Sequence, residues 1–532
     1  MTSARCLPPA ARCPMLAAAL SALAICLGLG GCTTEPPEPP AATLPARPPA
    51  AAAPAPTAVS PGTKTDRETW YVAYIKGAKV GYVHTAYRHE TRDGRRLTRI
   101  DSLTHLTTKR GSDRLEMDLR FTELTGADGG LVEFESRISE GSTSIASRGR
   151  VVGNQLRIET STQGKTLTSR IPWSAEYGGF SAVEQSLERE PMQPGQRRSM
   201  RALVPALNML ADIELVARDH EPVKLLTGSY ELLRIDVPTR FPSGQVIRGT
   251  YWTDRTGQAL KIYSEGMDGE MFLTTRETAQ DTQGLGQLDF TRDVAVPVDR
   301  ALPSPHGTKK IRYRLTLDRG DPAAAFVSGP SQQVKSIDPH TAEMTVYALR
   351  PHEAPGNPQA ADDPPTDADR QPDNFIQSDD SKIVAAARKV AGDKKDPWQK
   401  ALALEGFVNA HVTQKDFSKG FATAAEVIQT GRGDCTEHAM LLAALCRAAG
   451  IPARVAVGLV YHDRRFLFHM WTEVYVGKRW TPIDATLALG GIGAAHLKIA
   501  HSNLLCCSPF SVYLPVDQVV GRGLKIEVLE VE

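Results

Sequence analysis

Cys435 stands in Gly431-Arg432-Gly433-Asp434-Cys435-Thr436-Glu437-His438, immediately ahead of a segment that reads as an apolar helix. His469 follows 34 residues later and Asp484 another 15, each inside or at the end of a strand-like stretch. A thiol at a helix start can have its pKa lowered, and the thiolate is the nucleophilic form. An imidazole supplies a base, and a carboxylate fixes its tautomer and orientation. Taken singly, these residues are a buried cysteine, a packed histidine and a loop-capping aspartate. Taken in this order, they divide nucleophile, base and orienter among consecutive elements, which points to acyl transfer. Gly431 and Gly433 supply a turn that can present the sulfur. The first free amides of the helix are candidate donors to a developing oxyanion.

The elements that must hold these residues are legible around them. Ala439, Leu441, Leu442, Leu445, Cys446 and Ala449 make a mostly apolar helix stopped by Gly450 and Pro452. Strand patterns follow over 454–460, 466–476 and 480–483. A hairpin turn between Val476 and Trp480 would set Asp484 beside His469. Upstream, Ile383, Val384, Ala387 and Val390 line one helix face. Asp396-Pro397 reads as an N-cap with a first-turn proline, and Thr423 with Glu426 as a capping box for a helix ending near Ile428.

Four ordered blocks carry a resemblance: Gly433-Asp434-Cys435-Thr436-Glu437, Ala449-Gly450-Ile451-Pro452-Ala453-Arg454-Val455, His469-Met470-Trp471-Thr472-Glu473-Val474 and Trp480-Thr481-Pro482-Ile483-Asp484-Ala485-Thr486. Residues 423–486 resemble the bacterial transglutaminase-like superfamily. The resemblance implies an α+β, papain-like core that needs no cofactor, with Cys435 as nucleophile, His469 as base and acid, and Asp484 as orienter. It also implies a thioester formed by attack on a carboxamide or peptide carbonyl of a polypeptide. Water as acceptor gives a cysteine protease or amidase, and a lysine amine gives a crosslink. Hydrolysis is the favoured outcome because an amine must compete with bulk water. The alternatives are the amine transferase and an envelope-anchored scaffold that binds polypeptide without turnover. Met470 departs from the small residue the family often has there, which predicts a changed pocket shape. The resemblance also implies, in some members, a side-chain oxyanion donor upstream of the nucleophile, for which Gln429 is the candidate.

Neighbouring residues have plainer roles. Arg454 and Glu473 lie on adjacent predicted strands and suit a structural ion pair. Asp434 suits an Asx-type turn. Glu437 suits the helix dipole, although a negative charge there opposes thiolate formation unless it is turned away or paired. Tyr461, His462 and Asp463 fall in a predicted loop before the His469 strand, so Tyr461, with Met470 and Trp471, is a candidate for substrate contact.

At the other end, Arg5 and Arg12 precede an apolar run from Met15 to Leu29, closed by Leu29-Gly30-Gly31-Cys32. The run is short for a membrane span and reads as a signal peptide. Its last four residues resemble a lipoprotein lipobox, which implies lipid on Cys32 and a membrane partner. By resemblance to other lipoproteins, Thr33 rather than Asp after the cysteine implies the outer membrane, facing the periplasm, in a cell with two membranes. The Pro/Ala-rich stretch after it reads as a tether. Losing Arg5 and Arg12 moves the formal charge from +1 to about −1, so charge gives no nucleic-acid footprint. Of eight cysteines, Cys435, Cys446, Cys506 and Cys507 remain beyond Cys32, and no Cys/His cluster has zinc spacing. Adjacent Cys506 and Cys507 read as reduced, buried side chains.

The expected architecture is multidomain: a large antiparallel β-rich N-terminal region followed by a C-terminal α+β transglutaminase-like domain. The divisions are 1–31 signal, 32–65 lipidated cysteine and tether, 66–302 β domain, 303–350 small β module or sheet extension, 351–374 disordered linker and 375–532 catalytic domain. No site residue is assigned to the β domain, where Trp70, Trp173 and Trp252 read as packing. Replacing Cys32 with Ser is expected to release the protein from the membrane fraction or leave its signal uncleaved. Unchanged mass and unchanged partition in that variant would refute lipidation.

Overall fold

The computed structural model describes residues 66–110, 113–141, 143–162, 165–350, 354–360, 363–415, 421–505 and 509–532. The predicted signal, Cys32, the predicted tether and the Cys506-Cys507 pair lie outside them.

The N-terminal region is one antiparallel sheet of 14 strands. Alternation builds it. In Asp113–Thr125 the residues Leu115, Met117, Leu119 and Phe121 are buried, while Glu116 and Arg120 face solvent. From the first strand, Arg67–Ile75, seven further strands ending with Lys165–Pro172 meander away on one side. On its other side lies Gly269–Thr274, and the remaining strands run outward from there to Arg197–Val204. Tight turns fix the register: both Lys76-Gly77 (φ 47°, 75°) and Asp93-Gly94 (φ 51°, 72°) are left-handed pairs, as two-residue hairpin turns require.

Several strands carry weak sequence signals. In Thr143–Val152 the inward positions are Thr143, Ile145, Ser147 and Gly149, too small to announce a core face. Gly149 is small for a reason. It sits opposite Phe134, and a Cβ there would come 2.1 Å from the Phe134 ring, so the ring lies over the bare backbone.

The C-terminal half is α+β. Its helices start where side chains can satisfy their free amides. Asp380 caps Ser381–Ala391, and Asp396, followed by Pro397, caps Pro397–His411. Thr423 accepts from the Glu426 amide to start Ala424–Thr430, which is one half of the predicted box. The helix Cys435–Ala448 is buried from Cys435 to Arg447, as a helix apolar on every side must be. It packs on a five-stranded sheet in the order Val296–Pro297, Arg465–Val476, Ala453–His462, His496–Ser502, with Arg479–Ile483 paired to Arg465–Val476.

Strands Lys310–Thr316, Gln332–Asp338 and Thr341–Tyr347 form a separate sheet, completed by Lys525–Val531 from the far end of the chain. The Tyr313 hydroxyl donates to the Ala494 carbonyl at 3.0 Å, joining this sheet to the site-bearing half.

Within 351–374, the described residues make buried contacts. Asp373 forms an ion pair of 3.1 Å with Arg447, both side chains 0% exposed. Arg447 also donates to the carbonyls of Gln371, Ala453 and Asn503. Removing one partner of a fully buried pair strands the other charge. Asp373→Ala is therefore expected to lower unfolding free energy by about 3–5 kcal/mol, read as a lower urea midpoint at unchanged slope.

Candidate active site

The turn before Cys435 is set by two glycines. Gly431 ends the preceding helix in the left-handed conformation, φ 60°. Gly433 has φ 151°, and a Cβ on it would meet the Glu437 Cβ at 2.2 Å. Asp434 then caps the helix. Its Oδ1 accepts from the Thr436 amide at 2.8 Å, while Glu437 Oε2 accepts from the Asp434 amide at 2.9 Å. This reciprocal box is worth about 1 kcal/mol and fixes where the helix begins. Glu437 Oε1 takes the Ala422 amide at 2.9 Å. Burial, and then Asp434, push the Glu437 carboxyl well above the ordinary range, so it sets no full charge beside the sulfur. Cys435 is the first helical residue and is 1% exposed.

His469 sits mid-strand opposite Gly458. Three residues along, the Thr472 hydroxyl donates to the Ala439 carbonyl at 3.0 Å, locking this strand to the Cys435 helix. The strand turns through Gly477-Lys478 (φ 59°, 63°) into Arg479–Ile483, and Asp484 follows directly. His469 Nε2 lies 2.7 Å from Asp484 Oδ2, with both side chains at most 1% exposed. Burial opposes ionisation of Asp484, but His469 and His496 outweigh it and hold the carboxyl well below the usual range. An ionised carboxylate only accepts, so Nε2 carries the proton and Nδ1 is the basic nitrogen of the neutral ring. His438, one turn into the Cys435 helix, feels both Asp484 and His469, which brings the helix start and the His469–Asp484 pair into one electrostatic neighbourhood.

The structure brings Arg454 and Glu473 together at 2.8 Å on paired strands, with Lys498 at 2.6 Å on the same carboxylate. Although buried, Glu473 is drawn down to about 2 by Lys498 and Arg454. Tyr461 is placed differently from its predicted loop. It and His462 end the strand Ala453–His462, and the connection shrinks to Asp463-Arg464, both left-handed at φ 43° and 61°. Asp463-Arg464 lacks the glycine that usually marks a turn of this hand, so the sequence does not announce it. The Tyr461 hydroxyl accepts from the Leu302 amide at 3.0 Å. Met470 and Trp471 are buried, at 0% and 1% exposure. Gln429 lies exposed on its helix, lining a groove with Lys165 and Asp379.

Other contributors escaped the sequence. His496 Nε2 lies 3.1 Å from Asp484 Oδ2. Its strand, His496–Ser502, alternates polar and apolar residues at His496, Leu497, Lys498 and Ile499, a signal that was there to use. Glu405 accepts the Asp484 and Gly490 amides, each at 3.1 Å. From the β-rich region, Arg110 donates to Asp434 Oδ2 at 3.1 Å, with side chains 8% and 4% exposed, and Glu140 is buried near that pair. His469, Asp484 and His496 are the grouping among the described residues that could hold a metal ion, with ligand atoms within 4.8 Å of one another. Two hydrogen bonds already account for their spacing.

Residues 384–485 match the transglutaminase-like superfamily, and the α+β fold of this half agrees with it. No curated protein matches the chain. Similar solved structures include a candidate cysteine protease from Cytophaga hutchinsonii at 18% identity, covering 42% of this chain and 86% of that one, TM-score 0.27. The periplasmic domain of TgpA from Pseudomonas aeruginosa, bound to ethylmercury, is 18% identical over 36% of this chain and 89% of that one, TM-score 0.25. A candidate protease from Parabacteroides distasonis is 12% identical over 68% and 64%, TM-score 0.19. Superpositions this loose carry no chemistry from those proteins to this one.

Burial, then the neighbouring Asp484, raise Glu405 to about 8. Between the ordinary glutamate value and about 8, the folded state holds a proton that the unfolded chain has released. Its contribution to stability is thus fully present below about pH 4.5 and is lost as pH rises toward 8. Between pH 5 and 9, wild type is expected to lose on the order of 3 kcal/mol more than Glu405→Gln. The slope of urea stability against pH, rather than its level, is the readout. Parallel slopes would contradict the assignment.

Proposed function

We propose that this protein is a thiol-dependent acyl transferase acting on polypeptide amides, with Cys435 as nucleophile, His469 as base and acid, and Asp484 as orienter. The observation that carries the reading is the buried 2.7 Å contact between His469 Nε2 and Asp484 Oδ2, beside a helix that begins at Cys435. With Nε2 held by the carboxylate, Nδ1 accepts the thiol proton. The sulfur then attacks the carbonyl carbon, and the oxyanion is met by amides at the start of the helix. Collapse expels the amine, which takes its proton from His469 and leaves a thioester. Water, deprotonated by the same nitrogen, attacks the thioester carbonyl, and its collapse restores the thiol.

Hydrolysis is the preferred outcome, and transfer to a lysine amine is the second reading. No acidic pocket to collect lysine is evident in the sequence near the three residues: Glu473 is committed to Arg454 and Lys498. Leu29-Gly30-Gly31-Cys32 motivates a lipid-anchored position in the bacterial envelope, facing the periplasm. The divisions at 31, 65, 302, 350 and 374 accompany this proposal. The catalytic unit of 375–532 then lends Lys525–Val531 to the preceding sheet.

Incubating the full chain with a glutamine-containing protein and a labelled primary amine separates the outcomes. New amino termini or ammonia without label mark a hydrolase, and label incorporation marks the transferase. Cys435→Ala is expected to reduce either product roughly 10³-fold or more with an unchanged melting curve, and His469→Ala nearly as much, since members of one catalytic unit are non-additive. Turnover surviving in Cys435→Ala would exclude the mechanism. No product over a broad substrate panel would favour the binding scaffold.

A further inference from the structure

Asp484 does not serve His469 alone. Its Oδ1 accepts the Thr486 amide at 2.9 Å, so Oδ2 is the oxygen that two imidazoles share, at 2.7 Å from His469 and 3.1 Å from His496. The His496 side chain is 0% exposed. Its ring lies 5.7 Å from that of His469 at 60°, and 5.4 Å from the Trp471 ring at 81°, so it is wedged rather than free to swing. The titratable groups facing it are Asp484, His469 and His306, whose ring lies 5.7 Å away. On its own strand, Lys498 is held by Glu473, while Glu405 and His438 reach the cluster through Asp484. Burial keeps His496 below the usual histidine range against the pull of Asp484, so the donor is a neutral ring.

We propose that His496 is a positioning residue: by donating Nε2–H to Asp484 Oδ2, it fixes the carboxylate and sets how firmly His469 holds its proton. The role rests on His469 being the base of the proposed reaction. A hydrogen bond to a charged group stabilises that charge, and an oxygen accepting two N–H groups attracts each less than it would attract one. With His496 gone, Asp484 pulls harder on the remaining N–H and favours the imidazolium. The alkaline limb of the Cys435–His469 pair then moves to higher pH by about half to one unit.

The measurement is the rate of Cys435 alkylation by iodoacetamide against pH on the full chain, read by mass spectrometry of the Cys435 peptide. The expected result is a shifted alkaline limb in His496→Leu and a return toward wild type in His496→Gln, whose side-chain amide can occupy the Nε2 position. A His496→Leu profile that superimposes on wild type, or a Gln variant shifted as far as Leu, overturns the role. If His496→Leu does not fold, ¹⁵N spectra of the wild-type imidazoles decide instead. Two protected Nε2–H resonances support the shared carboxylate, and one alone overturns it. One equivalent of zinc on the purified wild type, lost in His496→Gln, also overturns it by making the ring a metal ligand. A Cys435 inert at every pH sinks the catalytic reading and this role with it, whereas superimposed profiles from a reactive Cys435 sink this role alone.

Discussion

A carboxylate with 1% of its surface exposed must be surrounded by donors or give up its charge, and Asp484 dictates much of its surroundings for that reason. The hairpin at Gly477-Lys478 returns the chain at the register that puts it beside His469. The turn after it points the Thr486 amide back at Oδ1, and a further strand is spent on bringing His496. Glu405 on the long helix receives the backbone amide of Asp484 itself, so even the main chain there is held from outside. These contacts converge on one ionised group, and the sheet order around it follows from the need to reach it.

How much of this could be read in advance depended on whether the signal was local. Asp396-Pro397 and the apolar helix after Cys435 are local patterns, and their elements lie where the patterns put them. The strand bearing His469 and the one ending just before Asp484 were legible too, because Val455 to Val460 and Phe466 to Val476 are mostly apolar runs and Gly477-Lys478 marks a turn before Arg479–Ile483. The missed strand at His496 has few residues and mixed polarity, and its lysine is buried only because Glu473 waits for it. No local pattern encodes that pairing.

Long-range contacts explain the remaining surprises. Nothing in the β-rich sequence marks Arg110, since arginines are scattered through its strands. It matters because the sheet delivers it to Asp434, 324 residues away. The stretch 351–374 looks like linker by composition, yet Asp373 is drawn inside by Arg447. In both cases a charge becomes buried because its partner is distant in sequence and near in space. Composition reports a residue's type and is silent about its partner.

The Arg110–Asp434 pair also bears on how such a chain can be inherited. The residue that caps the Cys435 helix has one of its oxygens committed to a side chain from the first sheet. Moving the transglutaminase-like segment into another protein by recombination would carry away half of a buried ion pair, leaving Asp434 without its counter-charge at the place where the helix begins. The two regions are thereby obliged to travel and drift together. The boundary that looks cleanest in the sequence is therefore not where the molecule can be cut.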